Sequence, residues 1–382
     1  MVTSDQEPIG TAVSDIDTPV LLCDLDALEH NIQKLSEHFA QAGKRLRPHT
    51  KSHKTPAIAN MQMAAGAIGV TCAKLGEAEV MADAGIDDIL IANEVIGRRK
   101  IERLMALARR CDIMVAVDHP DNLDDLEQAA AAAGVQPRVL VEVNIGHNRC
   151  GVDADSADVV DLCREAANAK HLRFTGIMGY QGHVVDLEDK KARETGANEC
   201  LQRLSSCVAR VREAGIEVEI VSTSATGDYY ISTTYDTVTE VQAGSYALMD
   251  AAYGRLDLGF QHALSVLTTV TSRPAEDQVI TDAGLKSVTP EHGMPDVRLP
   301  SKEGIDVGWD PKGLRFLECH ALSEEHGRLQ SVDGPCHLEV GDLIEFIPGH
   351  GCTTMNLHDY IYAVRNGRLE AIWPIAARGK VR

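Results

Sequence analysis

The amino-acid sequence predicts an α/β fold: a (β/α)8 barrel of parallel strands with a second, antiparallel β domain. The first observation is that short β-branched runs alternate with longer amphipathic segments between about residues 45 and 245. Such alternation is typical of a parallel sheet whose strands are connected by helices. The second observation is a change after residue 260, where short runs rich in β-branched and aromatic residues are separated by turn signals. This pattern is typical of antiparallel strands.

Eight apolar runs are predicted to form the strands of the barrel. They are residues 45–49, 68–72, 88–92, 113–117, 138–144, 173–180, 218–222 and 239–244. Several of the segments between them end in a glycine, as helices commonly do, at Gly85, Gly134 and Gly215. Eight such units in about 200 residues favour a closed barrel. The alternative is an open, doubly wound sheet, but no Gly-x-Gly-x-x-Gly motif follows any of the runs.

The second domain is predicted from both ends of the chain. An Asn-Gly pair within residues 364–368 stands between two strand-like runs and predicts a hairpin. Residues 18–26 read as a strand before a helix, outside the eight runs of the barrel. We therefore expect the barrel domain to span residues 25–260, and the β domain to combine residues 1–24 with 261–382.

The composition is that of a globular protein and argues against some partners. The 382 residues are 44% hydrophobic with a formal net charge of −20, so neither nucleic acid nor an anionic membrane is expected as a partner. No apolar run approaches the roughly 20 residues that cross a bilayer, and the N-terminus lacks the pattern of a secretory signal. The ten cysteines include no Cys-x-x-Cys pair. Reduced thiols and a cytoplasmic location are therefore expected.

In a barrel, functional groups lie at the C-terminal ends of the strands and in the loops that follow. Polar and small residues follow several predicted strands here: His49 and Lys51 after the first, Arg149 after the fifth, Tyr180 after the sixth, Ser222, Thr226 and Gly227 in the run after the seventh, and Gly244, Ser245 and Tyr246 after the eighth. A lysine, an arginine and small residues suit pyridoxal phosphate, because lysine forms a Schiff base while amides and hydroxyls bind the phosphate.

Lys51 lies in the basic run RPHTKSHK, beside Arg47, His49, His53 and Lys54. Burial and cationic neighbours favour loss of the lysine proton, which reaction with an aldehyde requires. The alternative is that this run is a basic, solvated loop that leads into a helix and has no catalytic role.

A second candidate site lies in the segment GHGCTTMNLHD, residues 349–359. His350 and Cys352 are two residues apart, so on an extended segment both side chains point to the same side. An imidazole and a thiolate on one side form half of a zinc site, which water or substrate oxygens would complete. The alternative is a buried histidine and cysteine in a loop of the β domain.

Several segments carry a family resemblance. DTPVLLCDLDALEHNI, RPHTKSHKTPAIA, EVNIGHNRCGV, EVQAGSYALMDAAYG and PGHGCTTMNLHD resemble the D-threonine aldolase group, in order, from about residue 17 to 380. That group includes the 3-hydroxy-D-aspartate aldolases and is related to the D-serine dehydratases, all fold-type III pyridoxal-phosphate enzymes. The resemblance implies an alanine-racemase-like barrel with a C-terminal β domain, pyridoxal phosphate and a divalent metal.

The resemblance also implies roles for individual residues. Lys51 would form the Schiff base, Arg149 would lie beside the cofactor, and Tyr180 would contact its ring. The residues that match the phosphate-binding positions are Ser222, Thr226, Gly227, Gly244, Ser245 and Tyr246, and those that match the metal ligands are His350 and Cys352. His49, next to Lys51, and Asp186 complete the set of candidate catalytic residues.

The chain departs from the aldolase pattern at three places. The glycine-rich loop after the seventh strand reads Ser-Thr-Ser-Ala-Thr-Gly at residues 222–227 and keeps only the final Thr-Gly. Cys352 stands where the aldolases usually carry aspartate; a thiolate favours zinc, whereas a carboxylate favours manganese or magnesium. Asp186 takes the place of an aldolase histidine, with His183 nearby in the sequence.

The function expected from these residues is that of a metal-assisted lyase. It would cleave β-hydroxy-D-amino acids of the D-threonine or 3-hydroxy-D-aspartate type to glycine and an aldehyde, with the metal lowering the pKa of the β-hydroxyl. The alternative is a D-serine or D-3-hydroxyaspartate dehydratase that yields ammonia and a 2-oxo acid. More remote alternatives are an amino-acid racemase and a pyridoxal-phosphate-binding protein. The resemblance suggests a homodimer.

Overall fold

The computed structural model describes residues 7–298, 317–332 and 336–382. The chain divides into two compact units. The β unit comprises Met1–Ile32 and Ser245–Arg378, and the barrel unit comprises Gln33–Gly244 and Gly379–Arg382. The domain limits expected from the sequence, residues 25 and 260, stay a prediction. No helix in the described ranges is long and apolar enough to cross a bilayer.

The strands of the described residues are, in chain order, β1 (Val20–Asp24), β2 (Arg45–Leu46), β3 (Val70–Cys72), β4 (Asp88–Glu94), β5 (Asp112–Val117), β6 (Arg138–Asn144), β7 (Val152–Asp153), β8 (Arg173–Gly179), β9 (Ile220–Thr223), β10 (Glu240–Val241), β11 (Leu264–Ala275), β12 (Gln278–Thr281), β13 (Asp296–Arg298), β14 (Leu317–Leu322), β15 (Gly327–Ser331), β16 (Leu343–Ile347), β17 (Tyr360–Arg365) and β18 (Arg368–Pro374). The α-helices are α1 (Leu25–Ala42), α2 (Pro56–Ala64), α3 (Leu75–Asp83), α4 (Arg98–Leu107), α5 (Pro120–Ala133), α6 (Asp158–Asn168), α7 (Lys190–Glu213), α8 (Tyr229–Ser232), α9 (Ala251–Gly254) and α10 (Gly351–Met355). Two short 3-10 helices cover Val13–Asp15 and Thr50–Ser52.

The sheet of the barrel unit runs in the order β2-β10-β9-β8-β6-β5-β4-β3, with all neighbours parallel. A parallel bridge between His49 and Thr71 joins the segment after β2 to β3 and closes the ring. All eight predicted runs are strands of this sheet, so the predicted (β/α)8 barrel is confirmed. The two-residue strand β7, which pairs with β6, was not predicted.

Alternate residues of the strands fill the interior of the barrel. Leu90, Met114, Leu140, Met178 and Ile220 are buried and pack together. This is the alternation that a strand imposes, because successive side chains point to opposite faces. The inward-facing side chains therefore form layers, and the layer nearest the C-terminal ends of the strands borders the loops that carry function in this fold.

The N-terminal end of the barrel is held by ion pairs of two buried arginines. Arg47 pairs with Glu240 at 3.0 Å and with Asp88 at 2.7 Å, while Arg138 pairs with Asp88 at 2.5 Å and with Asp112 at 2.7 Å. These charges connect strands that are far apart in the sequence. A charge buried in this way is stable only when a partner of opposite sign accompanies it.

The β unit is built on one sheet in the order β14-β15-β12-β11-β1-β17-β18; in addition, β16 pairs with β11, and β13 pairs with β16. Its pairings are antiparallel apart from that of β1 with β17, which is parallel. The predicted hairpin is confirmed, because β17 and β18 are joined by Asn366 and Gly367, both with positive φ. The apolar core of the β unit includes Val20, Leu267 and Leu369.

Candidate active site

Lys51 lies at the C-terminal end of β2, in the 3-10 helix Thr50–Ser52. The backbone N–H of Lys51 donates to Nδ1 of His49 over 3.4 Å. The Ser52 hydroxyl lies 3.0 Å from the Gly244 carbonyl, to which it donates. A Cβ at position 244 would lie 2.5 Å from the carbonyl oxygen of His49, so only glycine lets the chain after β10 approach the lysine loop this closely.

The basic run around Lys51 is folded into the protein, so the alternative of a solvated loop is wrong. Arg47, His49, His53 and Lys54 are all buried. The Lys54 ammonium pairs with the carboxylate of Glu77, and the carboxylates described above pair with Arg47. Lys51 itself is half-buried.

His49 is a neutral imidazole beside Lys51. Burial, followed by the positive charges of Lys51 and Lys54, lowers the pKa of His49 well below its usual value. His53 is affected in the same way: burial lowers its pKa to about 4, although Gln62 hydrogen-bonds to its ring. The loop therefore presents neutral imidazoles at pH 7.

Side chains from the segments that follow other barrel strands lie around the Tyr180 ring. The Nζ atom of Lys51 lies 5.8 Å from the centre of the Tyr180 ring, and Cζ of Arg149 lies 5.2 Å from it. The ring of His147 packs edge-on against Tyr180, with 5.5 Å between ring centres. The expectation that Lys51, Arg149 and Tyr180 share one end of the barrel agrees with these distances; their catalytic roles stay a prediction.

Two histidines extend this cluster. The rings of His147 and His183 stack with 5.8 Å between their centres. The chain at residue 182 can pass this close to the Tyr180 ring only as glycine, since a Cβ there would lie 2.5 Å from a Tyr180 ring carbon. Nδ1 of His147 is buried and has no hydrogen-bond partner among the residues the structure describes. An unpaired buried nitrogen beside Tyr180 fits a polar ligand that completes it.

The loop after β9 is held by Asp228, which sequence reasoning missed. Asp228 accepts hydrogen bonds from the Ser224 hydroxyl at 2.5 Å, from the Ala225 N–H at 2.9 Å and from Nε2 of Gln181 at 2.5 Å. Gln181 in turn accepts from the Thr223 hydroxyl at 3.0 Å. Asp228 is buried, and burial raises its pKa. The only sequence signal was its position, directly after the Thr-Gly pair.

These contacts bear on the expected phosphate loop. The hydroxyls of Thr223 and Ser224 donate to protein groups, and Ser222 accepts from Nε2 of Gln242 at 2.9 Å. Thr226 and Gly227 are buried in the same preformed loop. The hydroxyls of Thr223 and Ser224 therefore hold the shape of the loop rather than replacing the contacts of the missing glycines.

Three further residues predicted to belong to the site lie in the turn after β8 and at the start of the second segment of the β unit. Asp186 is half-buried in the turn after β8, and its catalytic role stays a prediction. Ser245 and Tyr246 belong to the β unit, which begins its second segment at Ser245. Tyr246 is buried and packs against Phe260, with 5.9 Å between ring centres.

His350 and Cys352 are in contact in the β unit, but not on an extended segment. His350 is the N-cap of α10, and Cys352 lies in the first turn of that helix, so the expected backbone geometry is wrong. Nδ1 of His350 lies 2.8 Å from Oδ2 of Asp250. Burial alone would lower the pKa of His350, but hydrogen bonds with Asp250 and with the Cys352 thiol raise it to about 11.

This arrangement fits a divalent metal. Asp250, which also accepts from the Gly351 N–H at 3.0 Å, fixes the orientation of the His350 ring. A carboxylate that holds one ring nitrogen leaves the other free as a ligand, which is common in metal sites. The Cys352 sulfur beside that ring supplies a second donor, and a bound metal would displace their protons. The ring of His292 lies 4.8 Å from that of His350, centre to centre.

Two family models match this chain. Residues 23–252 match the model of the alanine racemase N-terminal domain, and residues 263–364 match that of a serine dehydratase domain. Among individual proteins, the 3-hydroxy-D-aspartate aldolase of Paracoccus denitrificans (strain Pd 1222) is 38% identical, over 97% of this chain and 94% of its own.

A solved structure and a second relative are also similar to this chain. The D-threonine aldolase of Filomicrobium marinum superposes with a TM-score of 0.90 at 39% identity, covering 98% of this chain and 99% of its own. The D-threo-3-hydroxyaspartate dehydratase of Delftia sp. (strain HT23) is 28% identical over 89% of this chain and 92% of its own. The chain belongs to the family of D-threonine aldolases and 3-hydroxy-D-aspartate aldolases, as the resemblance indicated.

Proposed function

We propose that this chain is a pyridoxal-phosphate-dependent lyase that cleaves β-hydroxy-D-amino acids of the D-threonine and 3-hydroxy-D-aspartate type to glycine and an aldehyde. The main support is that Lys51 and Arg149 both lie close to the Tyr180 ring at the C-terminal end of the barrel. Membership of the aldolase family supports the choice of reaction.

Pyridoxal phosphate, when bound, supplies an aldehyde that condenses with amines and a ring that takes up the electrons of the bond broken at Cα. Lys51 would hold it through its amine. Tyr180 offers an aromatic face beside that amine, and Arg149 places a positive charge on the same ring. Because burial and the charge of Lys51 lower its pKa, His49 stays neutral beside the amine and adds no positive charge there; it is the other candidate catalytic residue of this loop.

The phosphate would be bound by the preformed loop and by the ends of the last two strands. Thr226 and Gly227 would supply a hydroxyl and backbone N–H groups, and Ser222, Gly244, Ser245 and Tyr246 are the other candidates. Asp228 keeps the loop in shape without the phosphate, so little of the binding energy is spent on ordering it.

A divalent metal held by His350 and Cys352 would act as a Lewis acid that lowers the pKa of the substrate β-hydroxyl. Asp250 orients the histidine for this role. The thiol of Cys352 favours zinc, with manganese or magnesium as alternatives. We also propose a cytoplasmic homodimer, which light scattering of the purified protein would test.

The second candidate function is that of a dehydratase acting on D-serine or D-3-hydroxyaspartate. Cys352 favours it, and so does the match of residues 263–364 to a serine dehydratase domain. In that reaction the metal would assist departure of the hydroxyl instead of its deprotonation, and the products would be ammonia and a 2-oxo acid.

Product analysis separates the two reactions. Purified protein with added pyridoxal phosphate is incubated with D-threonine, D-3-hydroxyaspartate and D-serine, with and without a chelator. We expect glycine and an aldehyde from the first two, with activity lost on chelation. Ammonia and a 2-oxo acid in place of glycine would establish the dehydratase instead. Turnover that chelation leaves unchanged would contradict the role given to the metal.

A further inference from the structure

Three potential metal ligands meet at the C-terminal end of the barrel, apart from the residues used so far. Glu94 ends β4, Glu142 lies in β6, and Cys150 lies in the loop that follows β6. One ligand atom of each lies within 4.8 Å of those of the other two. Glu142 comes two residues after the inward-facing Leu140, so its side chain points into the barrel.

One buried oxygen of each carboxylate in this cluster meets no N–H or hydroxyl donor among the described residues. The side chain of Glu142 is 3% exposed, and its Oε2 atom has no hydrogen-bond partner within the part of the chain that the structure describes. The same holds for Oε1 of Glu94, again counting only the described residues. A buried carboxylate oxygen without a partner is costly, and either a proton or a cation relieves that cost.

The surrounding charges favour a cation. Asp118, which accepts from the Gly151 N–H at 3.0 Å, adds a third carboxylate whose charge acts on both Glu142 and Cys150. Arg149 is the positive charge that acts in the opposite direction. A protonated Glu142 can hydrogen-bond with the carboxylate of Glu94, and a bound cation would take the place of that shared proton.

We propose that Glu94, Glu142 and Cys150 bind a divalent cation of the zinc type, at a site distinct in composition from His350 and Cys352. Two carboxylates alone would suit magnesium or manganese, but a thiolate shifts the preference to zinc. Three protein ligands leave a coordination position for water. Because Cys150 follows Arg149, the bound cation also fixes the loop that carries this arginine against β4 and β6.

Counting bound zinc in single variants tests the site. Protein stripped with a chelator is dialysed against micromolar Zn²⁺, and the metal is measured by mass spectrometry. We expect two zinc ions per chain in the unmodified protein and one in Glu142→Gln. We also expect one in Cys352→Ala, and none in the double variant. Loss of one zinc ion in Glu142→Gln, and of the second when Cys352→Ala is added, supports the proposal. This result does not depend on the aldolase assay.

Cobalt provides the second measurement. Thiolate bound to Co²⁺ gives a charge-transfer band, which we expect to persist in Cys352→Ala and to disappear when Cys150→Ser is added. Cys111→Ser, in a half-buried cysteine outside the cluster, is the matched control and keeps the band. Thermal unfolding checks that each variant is folded. If Glu142→Gln binds as much zinc as the unmodified protein, or the band survives in the double variant Cys352→Ala/Cys150→Ser, the cluster holds only a proton and the proposal is wrong.

Discussion

The two ends of the barrel differ in how completely their buried polar atoms are paired. At the N-terminal end, Arg47, Glu240 and Arg138 are buried and each meets a charge of opposite sign. At the C-terminal end, Glu142 and His147 carry buried polar atoms that have no partner within the described ranges. The first end is complete as folded, and the second end lacks the groups that would complete it. The difference indicates where ligands bind, because buried polar atoms in native proteins are normally paired.

The largest expected effect concerns the incomplete end. Lys51→Ala should abolish turnover of D-threonine, with a loss of at least about 10³-fold, since no other group can replace its amine. The protein should also fail to develop the absorbance of bound pyridoxal phosphate. Lys100→Ala, in an exposed lysine of α4, is the matched control and should be fully active. Activity in Lys51→Ala would show that the functional end of the barrel has been misassigned.

At the complete end, the expected effect is on stability. Glu240→Gln leaves the buried guanidinium of Arg47 with Asp88 alone, and should lower the free energy of unfolding by about 3 kcal/mol. Urea unfolding of the cofactor-free protein measures this change. Glu217→Gln, in an exposed glutamate, should change it by less than ~0.5 kcal/mol. Equal effects of the two variants would remove the distinction drawn between the ends.

A smaller effect is expected from the loop after β9. Asp228→Asn removes an acceptor of several hydrogen bonds, and should weaken the binding of pyridoxal phosphate by roughly tenfold, because each such bond contributes about 1 kcal/mol. Titration followed by absorbance measures the affinity. Asp236→Asn, in an exposed aspartate of the same region, should bind normally. Unchanged affinity in Asp228→Asn would mean that the loop does not bind the cofactor.

The smallest effect is a change in pH dependence. The pKa of His53 falls from 6.5 in the unfolded chain to about 4 in the fold, chiefly through burial. Between these values the unfolded chain binds a proton that the folded chain does not, so the free energy of unfolding falls as the pH falls from 6.5 towards 4. His53→Gln should reduce this slope by about 1 kcal/mol per pH unit. In contrast, His30→Gln, in an exposed histidine, should leave the slope unchanged.

Much of the fold followed from patterns local in the sequence. The strands of the barrel are short apolar runs, and the convergence of Lys51, Arg149 and Tyr180 follows from the geometry of parallel strands, whose C-terminal ends share one edge. What the sequence did not reveal depends on contacts between distant segments. Asp228 matters because of what it binds, and no local pattern indicates its partners.

The unpredicted parts of the two candidate metal sites have the same origin. Glu142 lies inside a predicted strand, where the sequence does not show that Glu94 and Cys150 approach it. For Cys352 the error was in the backbone: a helix of five residues, Gly351–Met355, is too short to show a periodicity, so no local pattern argued against the extended segment that we expected. Asp250 lies 100 positions from His350, and only the folded chain brings the two together.

Chemical labelling can locate the lysine that binds pyridoxal phosphate. The protein is incubated with pyridoxal phosphate, reduced with borohydride, digested and analysed by mass spectrometry. We expect one modified peptide, carrying the phosphopyridoxyl group on Lys51. A modification found on another lysine, or absent from the Lys51 peptide, would contradict it.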